Sequence, residues 1–153
     1  IALAMVNNPQ IILTDEPTSA LDVSVQAQII ALLKRLQKEK NMAYLFITHD
    51  ILLARNICDR IAVMYKGSIV ETGMAAEILD NPGHPYTKLL LKCVLKPRID
   101  KEFEFVDSDS LREASSEGCK FYEFCPYATE KCKLQRPELK EKKGRQIACF
   151  HEI

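Results

Sequence analysis

Apolar residues change rhythm along this chain, and each change marks an element. Ile1-Ala2-Leu3-Ala4-Met5-Val6 is almost wholly apolar with no capping residue before it, so it reads as helix interior, ended by Asn7-Asn8-Pro9. A short apolar run centred on Ile11-Ile12-Leu13 predicts a buried strand over Gln10 to Thr14. From Val23 to about Lys40 the spacing lengthens. Ile29, Leu32, Leu33 and Leu36 fall at i, i+3, i+4 and i+7, one helical stripe. Asp22 stands where an N-cap belongs, Lys34, Arg35, Lys38 and Lys40 suit the dipole at the far end, and Asn41 is a stop. Ala43 to Thr48 is a second strand. Strand, helix, strand at this spacing predicts a βαβ unit with parallel strands and a right-handed crossover.

Shorter elements follow. Asp50 is placed to cap a helix through Ile57. Arg60 to Tyr65 and Ile69 to Glu71, joined by Lys66-Gly67-Ser68, read as a hairpin that Gly73 ends. Ala75 to Leu79 is a short helix closed by Asn81-Pro82-Gly83. His84-Pro85-Tyr86-Thr87-Lys88 opens another, whose Leu89, Leu90 and Leu91 belong to a core. From Pro97 to Glu117 acidic and polar residues dominate, which predicts a surface linker of low order. A cysteine-bearing tail comes last, and no segment repeats. The fold class is α/β, in three regions: residues 1–80, 81–117 and 118–153.

Composition narrows the function. The chain has 153 residues, enough for one modest core. Its 21 basic and 21 acidic residues cancel, so no field favours nucleic acid. No apolar run approaches the roughly 18 residues a membrane span needs, and no signal peptide is visible. Six cysteines without an export signal read as thiols or metal ligands in a reducing compartment.

The candidate chemistry begins at Asp15-Glu16, where Pro17 stops the first strand. A parallel strand delivers such acids to its carboxyl end, where α/β folds bind ligands. In a phosphate site the first acid can hold Mg²⁺ through water, and the second can orient or deprotonate an attacking water. Alone, such a pair is more often a solvated strand end. His49 follows the second strand, so neighbouring parallel strands would bring Glu16 and His49 to one sheet edge. A phosphate-cradling GxxxxGK[ST] loop is missing upstream of Asp15, since the first glycine is Gly67.

Asp15-Glu16-Pro17-Thr18 followed by Ser19-Ala20-Leu21-Asp22 resembles the Walker B segment and D-loop of ABC-transporter ATPases. His49 falls where that family places its switch histidine. The resemblance implies an ATPase using ATP and Mg²⁺, with Asp15 helping to coordinate the ion and Glu16 polarising the attacking water. It also implies that His49 contacts the γ-phosphate and that Asp22 speaks across a dimer of ATPase subunits. Asn81-Pro82-Gly83-His84-Pro85-Tyr86-Thr87 resembles the start of the C-terminal extension in bacterial oligopeptide and dipeptide importers. On this reading residues 1–80 are the C-terminal part of a nucleotide-binding domain, residues 81–117 begin the extension, and residues 118–153 are a cluster-binding tail. Implied partners are a second ATPase subunit, two membrane permeases and, indirectly, an extracellular solute-binding protein, at the cytoplasmic face of the membrane. Without a phosphate loop or an LSGGQ-type signature the chain reads as a fragment, expected neither to bind ATP tightly nor to hydrolyse it. The alternatives are a non-catalytic fragment whose only ligand is a metal or cluster, and an importer of nickel or another small solute. A soluble ABC ATPase of DNA repair or translation is a third, against which the extension and the cysteines argue.

Cys119, Cys125, Cys132 and Cys149 are spaced C-x5-C-x6-C-x16-C. No CxxC knuckle of the structural zinc type occurs, and ligand chemistry alone leaves zinc and a [4Fe–4S] cluster about equally open. Gly118-Cys119, Cys125-Pro126-Tyr127-Ala128 and Ala148-Cys149 resemble the importer extension, which in that family carries an iron–sulfur cluster, so the resemblance favours the cluster. Cys58 and Cys93 read as small apolar residues, His84 as a turn residue, and His151 as part of a frayed terminus.

Overall fold

The computed structural model describes residues 2–95, 115–142 and 144–151. Most of the expected linker, residues 97–114, lies outside the described residues. The chain divides into two compact units, Ile1–Cys58 and Asp59–Ile153.

The first unit opens with one exposed helical turn, α1 (Ala2–Met5). β1 (Ile11–Asp15) and β2 (Ala43–Ile47) pair in parallel, from Ile11 opposite Ala43 to Asp15 opposite Ile47. α2 (Val23–Lys40) makes the crossover. Asp22 caps it as expected, its Oδ1 accepting from the Val25 N–H at 3.0 Å, and Asn41 ends it in the left-handed region at φ 50°. α3 (Ile51–Ile57) starts at Asp50, whose Oδ1 accepts from the N–H groups of Leu52 and Leu53. Tyr44 and Phe46 on one sheet face pack against Ile30, Leu33 and Leu53. Ile30 is buried although it lies off the predicted stripe, and Leu32 and Leu36 within the stripe are only half-buried. The other face is bare: Ile11, Leu13, Leu45 and Ile47 are 54, 67, 51 and 51 % exposed. The unbroken apolar run predicts burial on both faces, and among the described residues one is covered.

The second unit is built on the hairpin β3 (Arg60–Tyr65) and β4 (Ser68–Met74). Its two-residue turn puts Lys66 at φ 44° and Gly67 at φ 72°, the mirror-image geometry that suits strand twist. β4 runs through Gly73 rather than ending there. Glycine serves another purpose at that position: a Cβ would lie 2.8 Å from Arg145 Cβ on the neighbouring strand. α4 (Ala75–Asp80) and α5 (Pro85–Leu95) follow. Val63, Val70 and Ile78 form the core, with Ile61, Tyr65, Tyr86 and Leu90 against it.

The cysteine tail joins this unit directly. A 3-10 turn at Tyr122–Phe124 and α6 (Glu130–Leu134) precede β5 (Lys140–Lys142) and β6 (Arg145–Ile147). β6 pairs antiparallel with β4, giving a sheet ordered β3-β4-β6-β5. Strands of three residues are too short for periodicity to announce. Phe121, 2 % exposed, meets the Tyr65 ring edge-on at 5.3 Å and the Tyr86 ring at 5.6 Å. Lys120 Nζ donates to the Lys66 carbonyl at 2.6 Å. At the centre sits Glu71, fully buried. It accepts from the N–H groups of Gly83 and His84 at 2.7 and 3.0 Å and pairs with Arg145 Nη1 at 3.4 Å. Arg145 also donates to the Asn81 carbonyl. One carboxylate thus holds the start of α5 and, through Arg145, the last strand.

Candidate functional site

The parallel pairing of β1 and β2 brings two sequence-distant residues together. Glu16 leaves β1 in the left-handed region at φ 43°, a conformation that costs a non-glycine residue energy and is commonest where function requires it. Its N–H donates to the Ile47 carbonyl at 2.9 Å, and its own carbonyl accepts from the Ser19 N–H and hydroxyl. The loop is therefore wound tightly, and it aims the Glu16 carboxylate at the end of β2. His49 Nδ1 lies 2.9 Å from Glu16 Oε1. The hydrogen bond and charge of Glu16 raise the His49 pKa above 6.5, although both side chains are exposed. Thr18, Ser19, Gln26 and Thr48 complete an open polar depression around the pair. Asp15 sits exposed at the last position of β1, and Asp22 is engaged as the cap of α2.

None of the four tail cysteines, nor Cys58 or Cys93, is in a disulfide. Burial pushes the Cys125 thiol up to about 11, and charge on Cys149, Cys119 or Cys132 would raise it further. The four sulfurs are therefore within electrostatic reach of one another. Burial also raises Cys119 and Cys149. Backbone N–H groups oppose it at three sulfurs: Phe121 and Tyr122 at Cys119, Tyr127 at Cys125, and His151 at Cys149. Cys132 Sγ lies 3.3 Å from Thr129 Oγ1 and 3.5 Å from His151 Nε2. Among the described residues no group of three or more His, Cys, Asp or Glu side chains is gathered as a single-ion site.

Two histidines fall differently from their sequence reading or beyond it. His84 is in the turn before α5 as expected, but it is buried at 2 % exposure, and burial lowers its pKa to about 4. Its Nδ1 accepts from the Tyr86 N–H at 3.0 Å. His151 is tied to two cysteines rather than frayed. A histidine two positions past a cysteine was the available signal. Nothing local announces Glu71, because its partners come from distant parts of the chain.

The comparisons bear on the whole chain. The family model described as "Oligopeptide/dipeptide transporter, C-terminal region" matches residues 70–132. The chain is 42% identical over 160 residues to the probable D,D-dipeptide transport ATP-binding protein of Escherichia coli (strain K12), covering 100% of this chain and 51% of that protein. The chain belongs to the oligopeptide and dipeptide transport ATP-binding family. It is likewise 43% identical over 156 residues to the oligopeptide transport ATP-binding protein of Bacillus subtilis (strain 168), across 99% of this chain and 47% of that relative. A di/tripeptide transport ATP-binding protein of Pseudomonas aeruginosa (strain UCBPP-PA14) is 41% identical over 99% of this chain and 48% of its own length. The chain spans about half the length of the family members it matches. Its mixed α/β architecture is consistent with the C-terminal part of such a subunit, and none of the described helices is long and apolar enough to cross a membrane.

Proposed function

We propose that this chain contributes the hydrolytic half-site of an ABC importer ATPase that drives uptake of oligopeptides or dipeptides. The observation that carries the reading is the 2.9 Å contact between Glu16 and His49 at the joined ends of two parallel strands. Glu16 is the carboxylate that accepts charge from the attacking water, and His49 meets the γ-phosphate. Asp15 helps to hold Mg²⁺, which supplies charge neutralisation at the transferring phosphoryl group. Asp22, at the start of α2, faces the second ATPase subunit. The phosphate loop and signature segment come from outside these residues, so the isolated chain is inactive. The subunit works at the cytoplasmic face of the membrane on two permeases, with an extracellular solute-binding protein delivering the peptide.

In the tail, Cys119, Cys125, Cys132 and Cys149 hold a [4Fe–4S] cluster. Four thiols in mutual electrostatic reach, with N–H donors at three of the sulfurs, support a thiolate-bound group. Four cysteines match one ligand per iron, and the resemblance of this segment to the importer extension favours the cluster over zinc. The four cysteines would thereby cross-link a tail that also packs on the β3–β4 hairpin through Phe121 and β6.

The test of the ATPase reading uses the full-length subunit. Glu16→Gln should keep ATP binding and lower turnover by about a hundredfold or more, because an amide cannot accept the proton. Wild-type turnover in that variant would remove Glu16 from the mechanism.

A further inference from the structure

Cys132 differs from the other three cysteines in what surrounds its sulfur. At Cys119, Cys125 and Cys149 the backbone N–H two positions on lowers the thiol pKa against the effect of burial. Cys132 lies in α6, where the N–H two positions on is turned along the helix axis. It is instead met by side chains, Thr129 Oγ1 at 3.3 Å and His151 Nε2 at 3.5 Å. The backbone N–H of His151 meanwhile donates to Cys149 Sγ at 3.4 Å. One residue therefore touches two of the four sulfurs.

The segment bearing His151 is held from both sides. Lys142 Nζ donates to the carbonyls of Cys149 and His151 at 3.2 and 3.3 Å. Lys131 Nζ sits 4.3 Å from the centre of the Phe150 ring. Lys131 belongs to α6 beside Cys132, so this contact ties the helix that carries one cysteine to the strand end that carries another. The imidazole is thereby aimed rather than free.

We propose that His151 is a positioning residue of the cysteine site, donating Nε2–H to the Cys132 sulfur and its backbone N–H to Cys149. The inference rests on the reading that these cysteines bind an iron–sulfur group. A metal-bound thiolate only accepts hydrogen bonds, so Nε2 carries the hydrogen. Such donors spread sulfur charge and ease addition of an electron to a cluster.

The test compares His151→Ala with His151→Gln in the anaerobically purified, iron-loaded full chain, reading iron content and the midpoint potential by spectroscopic titration. Ala removes the donor and should move the midpoint to lower potential. Gln keeps an N–H donor and should lie nearer wild type. If Ala fails to hold iron, the same ranking is read from iron content. Ala and Gln behaving alike, or Ala matching wild type, overturns the proposal. Wild-type protein without iron would refute the cluster reading alone. The donor is then read in the metal-free chain by ¹⁵N spectra of the imidazole. Nε2 should shift in Cys132→Ala but not in Cys58→Ala, and no shift in Cys132→Ala overturns the proposal.

Discussion

At the scale of single residues, two histidines titrate in opposite directions, and both directions can be checked. Glu16 raises His49 above its ordinary 6.5, so the pair's contribution is present below 6.5 and lost as pH rises through the higher folded-state value. Proton NMR should show His49 titrating above 6.5, and Glu16→Gln should bring it back down. A midpoint indifferent to that change would mean that the contact does not persist in solution. His84 runs the other way. Burial holds it neutral down to about 4, while an unfolded histidine charges near 6.5. Between those values only the unfolded chain takes up the proton. Stability is therefore complete above 6.5 and falls as pH drops, by up to about 3 kcal/mol near pH 4. Urea midpoints measured from pH 7 to 4 should fall, and His84→Gln should flatten the slope. The juxtaposition of Glu16 and His49 was legible because strand order and parallel pairing follow from the apolar rhythm. The burial of His84 was not, because the Glu71 carboxylate that seats its backbone arrives from another strand.

At the scale of elements, caps and turns were the most readable features, since their chemistry is local. Asp22→Ala should cost about 1 kcal/mol by leaving the Val25 N–H without its acceptor, seen as a lower melting temperature. Unchanged melting would mean that α2 draws its start from packing alone. Gly73 was misread as a strand end because a glycine late in an apolar run resembles a stop. Its real constraint is the close approach of Arg145, which sequence spacing cannot show. Gly73→Ala should destabilise the second unit by about 1–3 kcal/mol, because the obstructing atom is next to backbone and cannot swing away. An alanine variant as stable as wild type would contradict the register of β4 with β6. Those short tail strands were invisible beforehand: three residues carry no period, and their pairing depends on an edge that β4 offers.

At the scale of the whole molecule, the bare face of the β1–β2 sheet is the feature with the broadest physical consequence. Four large aliphatic side chains stand in water there, an arrangement that favours association. The isolated chain should self-associate with rising concentration in sedimentation experiments, and Leu13→Asn with Leu45→Thr should shift it toward the monomer. A wild-type chain that stays monomeric at high concentration would contradict this. Apolar content predicted that these residues want cover, but no single sequence stretch says what lies against them. The pairing of Glu71 with Arg145 has a consequence in time rather than space. A ribosome delivers Glu71 with the hairpin and Arg145 only after α5 and the cysteine-bearing segments. Until then the carboxylate has no guanidinium beside it, and entering the interior alone would strand a charge. The hairpin, the start of α5 and the cysteine module therefore complete their packing together, after Arg145 has emerged. A nascent chain stalled before that residue should remain open to proteases at the Asn81–Pro85 turn, and a chain released in full should not.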